Sequence, residues 1–148
     1  MIKILRTNSK NADFNKLVQL LNSDLAKRDG ENHPLAQFNS IATIKCVVLA
    51  YYKQKPIGCG AMSAYDAQVM EIKRMYVVPE ARGKRIGKQI LSELENWAKE
   101  SGSSQCILFT GSKQPEANNL YNKNGYKKIK QYGKLIEITD SLCFSKDL

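Results

Sequence analysis

The sequence is poor in residues that bind metals or cross-link a chain. It has one histidine and four cysteines in 148 residues. Cys46, Cys59, Cys106 and Cys143 lie far apart with no Cys-x-x-Cys pair, and His33 stands beside Pro34 in a polar stretch. Neither a zinc site nor a disulfide framework is indicated, and no metal is expected. Widely spaced thiols in apolar surroundings read as buried free cysteines of a reducing cytoplasm. No apolar run approaches the roughly 20 residues that cross a bilayer, so no membrane partner is expected. Met1 to Arg6 alternates like a strand and lacks the charged-then-apolar order of a signal peptide. Repeats, low-complexity tracts and linkers are also missing, and the length suits one domain over residues 1–148.

Acidic residues are outnumbered, 14 against 23 basic ones, for a formal charge of +9. The surplus gathers around Arg82 to Lys88 and again from Lys123 to Lys134, where five lysines occur without an acid. Such a surface attracts polyanions, and charge alone does not choose among them. A basic nucleic-acid-binding module is the rival this supports. It is disfavoured because aromatic residues are not interleaved with basic ones on a sheet and no helix-turn-helix pattern stands out.

What is present centres on Met70 to Leu94. Val69 to Val78 is rich in β-branched and aromatic residues and closed by Pro79, which predicts a strand. Pro79-Glu80-Ala81 makes a turn. From Arg82 the period changes, with Ile86, Ile90, Leu94, Trp97 and Ala98 on one face of a long helix. Between them lies Arg82-Gly83-Lys84-Arg85-Ile86-Gly87-Lys88. Small residues, first-turn amides, the helix dipole and four cations together suit a phosphate or diphosphate. Gly83 and Gly87 are separated by three residues and Gln89 follows Lys88, so this is not a Walker loop; no Gly-x-Gly-x-x-Gly occurs either.

Around this centre the pattern predicts a first strand over Ile2 to Thr7. A helix capped by Asn11 or Asp13 then runs to about Lys27, and Arg28 to Ser40 is a loop or a loop with a short helix. A hairpin of Thr43 to Tyr52 and Pro56 to Ala64 turns at Lys53-Gln54-Lys55. After the long helix, Ser101-Gly102 is a stop signal, and Gln105 to Thr110 is a strand parallel to the central one. A helix starts at Pro115 and ends at Asn124-Gly125, and strands follow at Tyr126 to Ile129 and Leu142 to Ser145. Cys59 reads as a small buried thiol rather than a nucleophile, because the lone histidine makes a poor partner for it.

Arg82-x-x-Arg85-x-Gly87 resembles motif A of the GCN5-related N-acetyltransferase (GNAT) superfamily, Gln/Arg-x-x-Gly-x-Gly/Ala, with Arg85 in place of the middle glycine. Gln114-x-x-Ala117-x-x-Leu120-Tyr121-x-x-x-Gly125-Tyr126 resembles its motif B, with Gln114 for Asn and Tyr126 for Phe. Two motifs in order are far more specific than either alone. The resemblance implies an α/β (α+β) single-domain fold: a mixed sheet of about six or seven strands, splayed between the fourth and fifth, flanked by about four helices. It implies acetyl-coenzyme A as cosubstrate, bound by Arg82, Gly83, Lys84, Arg85, Ile86, Gly87 and Lys88 at the diphosphate. Met75, Tyr76 and Val77 would offer main-chain groups, and Gln114 a polar contact.

An alkylamine with a pKa of about 10 must lose a proton before it attacks, so a base is needed, together with N–H donors for the oxyanion and an acid for the thiolate. Glu71 stands four residues before Met75-Tyr76-Val77, as the glutamate of histone-acetylating members does, and is the candidate base. Strand alternation would put it on a face with Lys73, Met75 and Val77; an ion pair with Lys73 or Arg74 is its rival role. Tyr121 is the candidate acid. The expected activity is transfer of an acetyl group to a primary amine in a ternary complex, with a non-catalytic acyl-coenzyme A sensor as an alternative. Asp29, Glu31, His33 and Tyr132 are candidates for the acceptor side, the acceptor itself is open, and family members are often homodimers.

Overall fold

A computed structural model describes residues 1–30, 44–112 and 114–148, with Asp29 described by its backbone alone. Its elements in chain order are β1 (Ile2–Thr7), α1 (Ala12–Asp29), β2 (Cys46–Tyr52), β3 (Lys55–Asp66), β4 (Val69–Val77), α2 (Ile86–Glu100), β5 (Gln105–Gly111), α3 (Pro115–Lys123), β6 (Lys127–Ile129) and β7 (Ser141–Asp147). Single 3-10 turns fall at Pro79–Ala81 and Gly133–Glu137. The strands form one seven-stranded sheet in the order β1-β2-β3-β4-β5-β7-β6. Every neighbouring pair is antiparallel except β4 and β5, which are parallel through the α2 crossover. The loop, or loop with a short helix, expected from Arg28 to Ser40 falls mostly outside the described residues, as do Glu31, His33 and the side chain of Asp29. The described residues contain three α-helices. None of them is long and apolar enough to cross a membrane.

Local sequence accounts for most of these boundaries. The Asn11 side chain accepts from the amides of Asp13 and Phe14 at 2.9 and 3.2 Å and caps α1. Lys53 and Gln54 both take positive φ, 49° and 67°, as a two-residue hairpin turn requires to match the strand twist. Amphipathic α1 buries Phe14, Leu17, Val18 and Leu21, and α2 buries Ile86, Ile90, Leu91, Leu94 and Ala98. α2 lies very close to β3. A Cβ on Gly60 would stand 2.5 Å from Met75 Sδ, 2.8 Å from Ile90 Cγ2 and 2.9 Å from Leu94 Cδ1. Glycine at 60 is therefore what lets the helix sit there. Of the expected buried thiols, Cys59, Cys106 and Cys143 are buried and Cys46 only half so, all four free.

Two irregularities interrupt the sheet around β4. First, β4 and β5 pair only from Val69 opposite Gln105 to Ile72 opposite Leu108. Beyond that point they part, although β4 runs on to Val77 and β5 to Gly111. Second, β4 carries a bulge. Cys59 faces Tyr76 and Ala61 faces Lys73, so Arg74 and Met75 share one position opposite Gly60, with Arg74 at φ 57°.

Candidate active site

Where β4 and β5 part, a cleft of about 670 Å³ opens between the end of α1, the end of β4, the start of α2 and the face of α3. Three structural facts give it chemistry. The first is the start of α2. The helix begins at Ile86, inside the Arg82 to Lys88 stretch expected to join strand and helix, because Arg85 takes a left-handed backbone (φ 64°, ψ 22°) that no α-helix can continue through. No side chain caps this end. Gln89 N, bonded to Arg85 O at 3.1 Å, is the first amide to find a carbonyl one turn back. The amides of Ile86, Gly87 and Lys88 are therefore open, at the positive end of the helix dipole. The contrast with α1, whose end is filled by Asn11, is direct.

The second fact is charge. Arg28, Arg82, Arg85, Lys88 and Lys123 line the cleft against two carboxylates, Asp24 and Glu116. Arg28 bridges the cleft walls, pairing with Asp24 in its own helix at 3.5 Å and with Glu116 of α3. Arg82 is fixed by Nε donating to Val77 O at 2.9 Å, by Asp24 at 3.9 Å and by the Tyr76 ring beneath its guanidinium. Arg85 and Lys88 are exposed and uncommitted to any carboxylate among the described residues.

The third fact is an apolar floor of Leu21, Leu25, Met75, Val77, Ile86, Ala117 and Leu120. Among them Tyr121 is buried, held by edge and tilted ring contacts to Tyr126 and Phe144 at separations of 5.7 and 6.0 Å. Burial pushes its phenol well above the usual range, so it stays protonated at neutral pH. The hydroxyl makes no hydrogen bond among the described residues, and Tyr121 is one of the residues lining the cleft. Met75, Tyr76, Val77, Arg82, Gly83, Arg85, Ile86, Gly87, Lys88 and Gln114 line the same cleft. Lys84 does not. Anionic ends of a ligand thus meet open amides and cations, and its apolar middle meets the floor. Coenzyme A, a diphosphate with a long thin pantetheine arm, has that distribution, and the residues fit it.

Glu71 lies elsewhere. It does not line the cleft, and the bulge separates it from two of the residues it was expected to accompany. Before the bulge, Glu71 and Lys73 share one face. After it the parity is reversed: Met75 Sδ packs toward α2, and Val77 Cγ2 lies 3.9 Å from where a Cβ on Gly87 would be. The Glu71 side chain is nearly buried and bound at both oxygens. Tyr132 donates its hydroxyl to Oε2 at 2.5 Å, and Lys73 Nζ lies 3.4 Å from Oε1. Tyr132, anchored on Leu135, Ile138, Cys143 and Phe109, has its own phenol pushed up by burial and by the Glu71 charge. No sequence signal links residues 61 apart. Sequence reasoning also missed Asp24, Arg28 and Glu116 as cleft residues, though Asp24 and Arg28 show a helical i,i+4 charge pair. Among the described residues, no three His, Cys, Asp or Glu side chains are grouped as metal ligands.

A family model of the acetyltransferase (GNAT) domain matches residues 43–128, more than half of the sequence. The chain belongs to the GNAT acetyltransferase family. It is 42% identical over 72 residues to the IAA acetyltransferase of Azospirillum brasilense, a match covering 47% of this chain and 46% of that protein. The chain thus spans about half the length of that relative. Among solved structures it is similar to a provisionally named acyl-CoA N-acyltransferase of Klebsiella pneumoniae, with TM-score 0.85, 26% identity and coverage of 100% and 98%. The PaiA N-acetyltransferase of Thermoplasma acidophilum, solved in complex with coenzyme A, shares the fold at TM-score 0.76 and 20% identity, covering 100% and 99%. In GNAT terms, α2 and α3 carry the two motifs. The left-handed Arg85 occupies the position where the family pattern has its middle glycine.

Proposed function

We propose that this GNAT protein transfers an acetyl group from acetyl-coenzyme A to a primary amine by direct attack in a ternary complex. The observation that carries the reading is the uncapped start of α2, opening onto a cationic cleft at the point where β4 and β5 diverge. A diphosphate held by the amides of Ile86, Gly87 and Lys88, with Arg82, Gly83 and Arg85 around it, would lay the pantetheine arm along Met75, Tyr76 and Val77. Gln114 closes the α3 side. β4 amides no longer paired to β5 are the donors available to the thioester oxygen as it gains charge.

In this reading the amine nitrogen attacks the thioester carbon and the C–S bond breaks. Glu71 takes the proton lost by the amine, directly or through a water, and Tyr121 gives its hydroxyl proton to the departing sulfur. A buried, protonated phenol at the cleft floor suits that second role. The test is a screen of amines with acetyl-coenzyme A, reading release of free thiol. Turnover that falls in Glu71→Gln and Tyr121→Phe while coenzyme A affinity is kept supports the roles. Wild-type turnover in both variants removes them, and binding without turnover of any amine favours the sensor.

A further inference from the structure

We propose that the acceptor carries its own carboxylate close to the amine, and that Lys73 is the residue that reads it. This rests on the acetyl-transfer reading above and narrows its substrate class. Glu71 and Lys73 point from the same face of β4, and Nζ lies 3.4 Å from Oε1. The other oxygen, Oε2, is already taken by the Tyr132 hydroxyl at 2.5 Å. Lys73 makes no other ion pair among the described residues, and both side chains of the pair are mostly buried, 21% and 11% exposed. The next residue, Arg74, adds a second buried cation whose guanidinium turns toward Asn22 of α1.

An amine reaches this site as an ammonium. Approaching Glu71, whose Oε2 is held by Tyr132, it meets the ammonium of Lys73 at Oε1, and like charges at such range in a poorly solvated site repel. A simple alkylamine or a polyamine has nothing to offset that repulsion. An amine with a carboxylate two or three bonds away does: its ammonium faces Glu71 while its carboxylate faces Lys73, and the four charges alternate. The same lysine then attracts one class and rejects the other, which is how specificity is built by contrast. The exposed Tyr65 ring packs edge-to-face at 5.2 Å on Tyr132, the residue bonded to Glu71.

The experiment pairs amino acids with their decarboxylated amines, phenylalanine with phenethylamine for instance, in the thiol-release assay on the intact chain and on Lys73→Met. The wild-type protein is expected to prefer the carboxylated member by about tenfold or more in kcat/KM, the scale of one charge-assisted hydrogen bond. Lys73→Met should lose that preference by raising KM for the amino acid, with KM for acetyl-coenzyme A unmoved. A lysine that merely props the fold would not shift the ratio between the paired substrates. Equal or faster turnover of the decarboxylated amines by the wild-type protein overturns the proposal and leaves acetyl transfer standing. So does a preference that survives in Lys73→Met or, should that variant not fold, in Lys73→Gln. Failure of every amine to release thiol overturns both.

Discussion

Replacing Arg85 by glycine should make the protein more stable and a poorer binder of coenzyme A. Arg85 holds φ 64° and ψ 22° at the entrance to α2, a conformation that costs a residue with a Cβ roughly 1–2 kcal/mol. Glycine removes that cost but loses about 0.5–1 kcal/mol through the greater freedom of the unfolded chain. The side chain is exposed and has no carboxylate partner among the described residues, so little else changes on folding. The net gain is on the order of 0.5–1 kcal/mol, or about 1–4 °C in melting temperature for a chain of this size. Affinity moves the other way. An exposed arginine against a diphosphate contributes roughly 0.7–1.4 kcal/mol, so coenzyme A should bind about three to ten times more weakly, with the deficit shrinking as salt rises. Thermal denaturation and titration calorimetry on the same preparations read both quantities. A fall of several degrees would show that the guanidinium supports the fold, and an unchanged dissociation constant would show that it does not face the ligand. Either result refutes the reasoning.

Gly60→Ala should destabilise by about 1–3 kcal/mol in urea denaturation, because Met75, Ile90 and Leu94 crowd the added methyl at 2.5 to 2.9 Å. Gly87→Asp puts a negative charge among the open amides and should weaken coenzyme A binding more than tenfold by calorimetry; its Cβ would meet Leu120 Cδ2 at 3.3 Å, a contact set against the favourable placement of an acid at a helix start. Tyr132→Phe should lower kcat severalfold in the thiol-release assay without changing the KM for acetyl-coenzyme A, because the hydroxyl that orients the Glu71 carboxylate is lost. Burial holds the Cys59 thiol up at about 12 and that of Cys106 at about 11, against about 8.5 in an unfolded chain. Between those values the unfolded state has lost protons that the folded state keeps. The thiols' contribution to stability is therefore whole below about pH 8.5 and lost as pH rises toward 11 and 12. Melting temperature should fall through that range, less steeply in Cys59→Ala, and an equal slope in that variant would contradict the assignment.

The parts of this molecule that arise from local chemistry were legible in its sequence. Asn11, the Lys53-Gln54 turn, Pro79, Ser101-Gly102 and Pro115 each bound an element for a reason contained in a few residues. The two apolar helix faces are visible as periodicity. The first residue of α2 is legible only to within Arg82 to Lys88, because nothing in Arg82 to Arg85 says that an arginine adopts a left-handed backbone. Strand alternation misleads for a similar reason: the bulge at Arg74, opposite the Gly60 on which α2 packs, reverses the parity of β4. That reversal belongs to the packed sheet, not to the strand. Glu71 was picked from its spacing to Met75, but its partners come from Lys73 and from Tyr132, and the latter contact is made only once the segment after β6 folds back over the sheet.

The claim on which the functional account depends is that the open amides at the start of α2 receive the diphosphate. It is tested most directly by following backbone N–H resonances while coenzyme A is added to the isotopically labelled protein. The account predicts that the amides of Ile86, Gly87 and Lys88 show the largest shifts in the chain, to lower field as each gains a charged acceptor. Amides that stay in place at saturation, while others in the protein move, would contradict it.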